Sequence, residues 1–156
     1  MVAIFIFMAQ SAPIFYLFAI GLALAYVFYM GTVYRKAPDF KWILPLYLLG
    51  VGWQAIHFAE EYLQGYHTAM GIDENRFVIS NMVALLFYCF AGAAIYLKVQ
   101  GPQLIALFFI LFGGLGNAIL HAYFNISTGS YFPGFYTSLP FWLAPILLWW
   151  YWKYTK

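Results

Sequence analysis

Long apolar stretches separated by short polar segments make up most of this chain, and they predict five membrane-spanning helices. The predicted spans cover residues 13–34, 41–66, 77–98, 102–126 and 140–154. Each of the first four exceeds the about 20 residues that cross about 30 Å of hydrocarbon, whereas the fifth is shorter. We therefore expect an all-α integral membrane bundle that forms a single domain over residues 1–156.

The composition agrees with this prediction and excludes other classes of protein. Of the 156 residues, 65% are hydrophobic and 8% are charged, whereas a soluble domain carries about 25% charged residues. The formal net charge is only +2, and the sequence has no basic patch or stripe of the kind that binds phosphate groups. We expect the lipid bilayer to surround the protein and no nucleic acid among its partners.

The basic residues indicate how the predicted helices are oriented. With five spans, all of the Lys and Arg residues except Arg76 fall on one side of the membrane. Those on the shared side are Arg35, Lys36, Lys41, Lys98, Lys153 and Lys156. Since cytoplasmic loops are enriched in Lys and Arg, we expect a multi-pass protein of the cell membrane with its N-terminus outside and its C-terminus in the cytoplasm.

One polar sequence interrupts the second predicted span, namely His57-Phe58-Ala59-Glu60-Glu61. A charged side chain is costly at bilayer depth, about 2.5 to 3.5 kcal/mol for an Asp, Lys or Arg at a helix centre. Such residues persist where they face a partner, a cavity or an ion. The motif therefore predicts a functional site within the membrane.

Polar side chains from three predicted spans fall at the same depth, in the outer half of the bilayer. Residues three and four apart share one face of a helix, so those on the second and fourth spans form two stripes. If both stripes face the interior of the bundle, they converge in one pocket. The set comprises Gln54, His57, Glu60 and Glu61 from the second span, Asn81 from the third, and Asn117 and His121 from the fourth.

Imidazole nitrogens and carboxylate oxygens are ligands that suit zinc, iron and manganese. His57 and Glu61 are four residues apart and point the same way, and His121 is the natural third ligand from the fourth span. Di-iron bundles need a carboxylate–histidine pair on each of two helices, whereas only the second span here carries Glu. We therefore predict one divalent ion, zinc, iron or manganese, bound by these three residues.

The other polar residues of the set receive supporting roles. Glu60 would act as a fourth ligand or as a general base on water activated by the metal. Asn117 and Asn81 would orient the ligands or hold a substrate oxygen, as groups behind metal ligands usually do, and a packing hydrogen bond would explain each Asn alone equally well. Gln54 would support the ligands or the helix packing.

Two motifs together resemble those of a known family. His57-Phe58-Ala59-Glu60-Glu61 and the later Asn117-Ala118-Ile119-Leu120-His121 are similar to the His-x-x-Glu-Glu and Asn-x-x-x-His motifs of the HXXEE family of small bacterial integral membrane proteins. The resemblance covers roughly residues 44–123. It implies a bacterial membrane protein and the location of its site, and it carries no settled biochemical activity.

Three functions remain open at this point. The first is a metal-dependent enzyme, hydrolase-like, that acts on a lipid-soluble substrate. The second is a proton-coupled carrier or small-molecule binding protein in which the same His and Glu residues titrate, although the chain lacks the internal repeats of many transporters. The third is a passive subunit whose polar cluster fixes helix packing. The oligomeric state is also open.

The energetics favour a functional site over the passive subunit. Interhelical hydrogen bonds in membranes contribute only about 0.6 kcal/mol on average. This is a small gain for burying two adjacent carboxylates, since a neutral Asn or Gln would serve with a lower desolvation cost. The metal-dependent enzyme is the leading hypothesis.

Overall fold

The computed structural model describes residues 12–36 and 40–155, and all regular structure in these ranges is helical. The elements are α1 (Ala12–Gly31), α2 (Phe40–Leu63), α3 (Tyr66–Ala69), α4 (Glu74–Tyr96), α5 (Gln103–Thr128), α6 (Phe135–Ser138), a 3₁₀ turn (Leu139–Leu143) and α7 (Ala144–Tyr154). The all-α prediction is confirmed for this part of the chain. The N-terminus, predicted to lie outside the cell, and the basic residue Lys156 lie outside the described residues.

Three helices are long and apolar enough to cross a membrane: Lys41–Leu63, Glu74–Tyr96 and Gln103–Thr128. They coincide with the second, third and fourth predicted spans, so the structure supports a membrane protein. The second ends before the predicted residue 66, at a turn in which Gly65 has φ +75°. The third begins before the predicted residue 77, because the Asp73 carboxylate caps it by accepting a hydrogen bond from the Arg76 N–H.

The first and fifth predicted spans also contain helices. α1 has 20 residues, and its part Phe18–Gly31 is an apolar helix shorter than the three above. The last predicted span, 140–154, divides into the 3₁₀ turn and the 11-residue helix α7. Neither helix is among the three that are long and apolar enough by themselves to cross a membrane.

Large apolar side chains cover the outside of the bundle. Val27, Leu49, Leu86 and Ile126, from four different helices, are 69%, 66%, 70% and 79% exposed. Large exposed apolar patches mark sites of interaction with a protein partner, a ligand or a membrane. The surface is the one expected of helices that face acyl chains.

Helix α5 lies at the centre, where it packs against α1, α2, α4 and α7. Its buried Phe109 ring packs edge-on against Tyr47 of α2, at 5.6 Å between centroids, and lies 4.5 Å from the ring of Tyr88 on α4. The Tyr47 hydroxyl donates to the Tyr88 carbonyl oxygen at 2.9 Å. This hydrogen bond satisfies a buried hydroxyl and joins α2 to α4.

The middle of α5 is a π-helix, Phe109–Gly116, which ends directly before Asn117. A Cβ atom added at Gly114 would lie 3.3 Å from the Cβ atom of Ala144, so the glycine allows α7 to approach closely. π turns occur often at functional sites. Because the wider turn changes the direction of every later side chain, it helps to set where His121 points.

Aromatic contacts show which helix ends lie together. Trp42, near the start of α2, stacks on Tyr154 at the end of α7, with centroids 6.4 Å apart and an interplanar angle of 10°. At the opposite end of α2, the Tyr62 hydroxyl donates to Glu74 Oε1 at 2.6 Å. The helices α2 and α4 are therefore antiparallel, and α7 ends where α2 begins.

Candidate metal centre

His57, Glu61 and His121 meet between α2 and α5. The Oε1 atom of Glu61 lies 3.5 Å from His57 Nε2 and 3.2 Å from His121 Nε2. The two imidazole rings are perpendicular, with centroids 4.8 Å apart. The polar faces of the second and fourth predicted spans therefore do converge. We call these three residues the trio.

The trio is shielded from solvent. His57, Glu61 and His121 are only 0%, 6% and 2% exposed. On α2, His57 and Glu61 are brought together by the i, i+4 spacing of the helix, and His121 reaches them from α5. A buried carboxylate with two imidazoles can bind a cation. The negative charge of the carboxylate and the lone pairs of the imidazole nitrogens offset the free-energy cost of removing the ion from water.

The distances in the trio suit a small divalent ion. Zinc binds His nitrogen and carboxylate oxygen at about 2.0–2.2 Å, and two such ligands of a tetrahedral ion lie about 3.3 Å apart. The distances from Glu61 Oε1 to His121 Nε2, 3.2 Å, and to His57 Nε2, 3.5 Å, are close to this value. The three ligand atoms lie within 4.8 Å of one another, so an ion would draw the two rings together. Three protein ligands would leave a fourth position open, as in catalytic zinc sites.

The sequence that forms this site matches a known protein family. The family model described as "Protein of unknown function with HXXEE motif" matches residues 42–150. The chain belongs to the HXXEE family. Neither a curated protein nor a solved structure matches this HXXEE protein. The matched range contains the whole trio and therefore confirms the resemblance inferred from the two motifs.

The HXXEE motif divides its two carboxylates between different neighbours. Adjacent residues of an α-helix point about 100° apart, and Glu60 accordingly contacts the segment 131–138 while Glu61 belongs to the trio. The Oε2 atom of Glu60 accepts hydrogen bonds from the Thr137 N–H, at 2.8 Å, and from the Thr137 hydroxyl. Its Oε1 atom accepts from the Tyr131 hydroxyl. The role of Glu60 as a general base stays a prediction.

The amide side chains predicted to support the site have different surroundings. Gln54 is buried one turn before His57, and its Oε1 atom has no hydrogen-bond partner. Asn117 is half-buried one turn before His121. Asn81 donates to the Phe77 carbonyl oxygen at 3.0 Å, within its own helix. Support of the metal ligands by Gln54, Asn117 and Asn81 therefore stays a prediction.

One wall of the site is formed by the segment 131–138, which no motif in the sequence indicates. Its Gly134 has φ +88°, and a Cβ atom there would lie 2.5 Å from His121 Cε1 and 2.9 Å from Glu61 Cγ. Only a glycine allows the backbone to approach the trio this closely. The Pro133-Gly134 dipeptide indicates a turn, but no sequence signal shows where that turn packs.

Aromatic rings form much of the remaining wall. The rings of Tyr66 and Phe132 lie 5.7 and 5.8 Å from that of His121, and Phe141 meets His57 edge-on at 5.4 Å. Burial, and to a smaller extent the Glu61 carboxylate, raises the pKa of the Tyr66 hydroxyl. Tyr66 therefore stays protonated at neutral pH, with its ring against that of His121.

Proposed function

We propose that this HXXEE protein is a membrane enzyme that holds one divalent metal ion, zinc, iron or manganese, and acts on a lipid-soluble substrate by a hydrolase-like reaction. His57, Glu61 and His121 would bind the ion. The ion would act as a Lewis acid toward a substrate carbonyl or would lower the pKa of a water molecule. The lipid bilayer surrounds the protein and supplies the substrate.

This proposal is supported by a buried polar atom of the trio that has no hydrogen-bond partner. His57 Nε2 is buried, has no hydrogen-bond partner and lies 3.5 Å from Glu61 Oε1. An unsatisfied buried polar group costs about 1–3 kcal/mol, and more when it is charged. A cation bound between the Glu61 carboxylate and the two Nε2 atoms would coordinate His57 Nε2 and so remove this cost. Packing alone gives no such compensation.

A five-span arrangement in the cell membrane is part of the proposal. The 3₁₀ turn and α7 together extend over about 26 Å, which is close to the hydrocarbon thickness of about 30 Å. The stacking of Trp42 on Tyr154 supports a shared side for Lys41 and Lys153. With that side in the cytoplasm, His57 would lie about 9 Å from the outer end of α2, in the outer half of the bilayer.

Elemental analysis of the detergent-purified protein tests the proposal. We expect close to one equivalent of zinc, iron or manganese per chain, and its loss in Glu61→Ala. The matched control is Glu74→Ala, which removes a carboxylate at the same end of the bundle that is hydrogen-bonded to Tyr62 rather than to an imidazole. Wild-type protein without metal, even after reconstitution, would overturn the proposal. A pH-dependent flux in proteoliposomes, lost in Glu61→Gln, would then establish a proton-coupled carrier instead.

A further inference from the structure

A second cluster of hydrogen bonds lies directly against the trio and is centred on Thr137. The Thr137 Oγ1 atom lies 2.9 Å from His57 Nδ1 and also donates its proton to Glu60 Oε2. The Thr137 carbonyl oxygen accepts a hydrogen bond from Trp53 Nε1 at 2.7 Å. Thr137 thus touches three side chains of α2, although it is 80 residues from His57 in the sequence.

The number of protons in this cluster determines the tautomer of the His57 imidazole. A threonine hydroxyl has a single hydrogen, and in Thr137 it is given to Glu60. The hydroxyl oxygen can therefore only accept a hydrogen bond from His57, so the proton of the neutral imidazole is on Nδ1. Since a neutral imidazole carries one N–H, the Nε2 atom of His57 bears a lone pair.

That lone pair is directed toward the rest of the trio. His57 Nε2 is buried without a hydrogen-bond partner, and it lies 3.5 Å from Glu61 Oε1. A lone pair that faces a carboxylate oxygen is repelled by it unless a cation lies between them. In the opposite tautomer, Nε2 would carry a proton and could not bind a metal ion.

We propose that Thr137, held by Glu60, is a positioning residue that keeps His57 in the Nδ1–H tautomer and so makes its Nε2 atom available to the metal. This inference rests on the proposed metal-dependent function and adds to it. Metal-binding histidines usually donate their second N–H to a carboxylate, a carbonyl or water. Here a hydroxyl connects the imidazole to the carboxylate, and Glu60 acts through Thr137 rather than on the substrate.

The structure allows the hydroxyl to be removed without releasing the segment 131–138. In Thr137→Val, the backbone N–H of residue 137 can still donate to Glu60, and its carbonyl oxygen can still accept from Trp53. Valine keeps the β-branched shape and lacks only the hydroxyl. Thr137→Ser restores the hydroxyl, and Thr128→Val is a matched control, because the Thr128 hydroxyl bonds to backbone carbonyls at the exposed end of α5.

Two measurements on the full-length protein test this role. The first is a titration of the metal-free protein with Zn²⁺ or with Co²⁺, whose visible absorption reports the ligand geometry. We expect Thr137→Val to weaken binding about 10- to 100-fold and to alter the Co²⁺ spectrum, while Thr137→Ser and Thr128→Val resemble the wild type. The second is ¹⁵N NMR of the three histidines in metal-free protein, assigned with His67→Gln and His121→Gln. It should show His57 protonated on Nδ1.

The possible outcomes separate the two proposals. Wild-type protein that binds no metal would overturn the proposed function and this inference with it. Wild-type protein that binds metal while Thr137→Val binds it with equal affinity would overturn only the role of Thr137. If Thr137→Val does not fold, the wild-type NMR spectrum still decides, because a His57 proton on Nε2 would contradict the tautomer on which the inference depends.

Discussion

Replacing Gly134 with alanine tests how closely the segment 131–138 must approach the trio. The added Cβ atom would lie 2.5 Å from His121 Cε1, 2.9 Å from Glu61 Cγ and 3.0 Å from His121 Nδ1. Carbon atoms prefer separations of about 3.5–4.0 Å, so the His121 ring or the loop backbone must move by about 1 Å. A metal site tolerates displacements of only about 0.5 Å.

The expected loss of stability has two contributions. Gly134 has φ +88°, and the left-handed conformation costs a residue with a Cβ atom about 1–2 kcal/mol. Overpacking adds about 1–3 kcal/mol. We therefore expect Gly134→Ala to lower the free energy of unfolding by about 2–5 kcal/mol and to reduce the amount of bound metal.

Gly129 provides the matched control for this prediction. It has φ +63° at the end of α5, and a Cβ atom there would meet nothing within 4 Å. Gly129→Ala should therefore show the conformational cost alone and bind metal normally. Unfolding in detergent micelles and elemental analysis would be measured on both variants. Equal stability and equal metal content in the two would refute the close approach of Gly134 to the trio.

Two further predictions concern topology and pH. In a Cys89→Ser background, a membrane-impermeant maleimide added to intact cells should label Arg76→Cys, and it should label Lys98→Cys only after permeabilisation; the reverse pattern would contradict the proposed orientation. Burial, followed by the hydrogen bond to Glu60, raises the pKa of Tyr131 to about 12. Because the pKa of Tyr131 is higher in the folded than in the unfolded protein, its contribution to the free energy of unfolding is fully present below about pH 10. This contribution is lost as the pH rises toward 12. The wild type should therefore lose more stability than Tyr131→Phe on alkaline titration, and parallel pH profiles of unfolding would argue against this.

The sequence predicted the parts of the structure that depend on local spacing. The three longest apolar helices are close to the predicted spans, because apolar length dictates where a chain can cross hydrocarbon. His57 and Glu61 share a face because they are four residues apart. His121 could be added to them because its depth in the fourth span matches theirs. These inferences need only helix geometry.

The remaining features depend on contacts between distant parts of the chain. Thr137 meets Glu60 across 77 residues, and no periodicity in the sequence relates the two positions. The adjacent residues Glu60 and Glu61 look equivalent in the motif, and only the docking of the segment 131–138 separates their partners. The π-helix of α5 was not predicted, because a wider turn leaves no distinct pattern in an apolar, glycine-containing stretch.

The division of the site between early and late parts of the chain has a consequence for biogenesis. Helix α2, the least apolar of the three long helices, emerges from the ribosome with both carboxylates of the motif. Their partners, His121 and Thr137, are synthesised 60 and 77 residues later. Until then, Glu61 has only His57 of its own helix beside it and Glu60 lacks Thr137, so stable insertion of α2 should depend on the arrival of α5 and the segment that follows it.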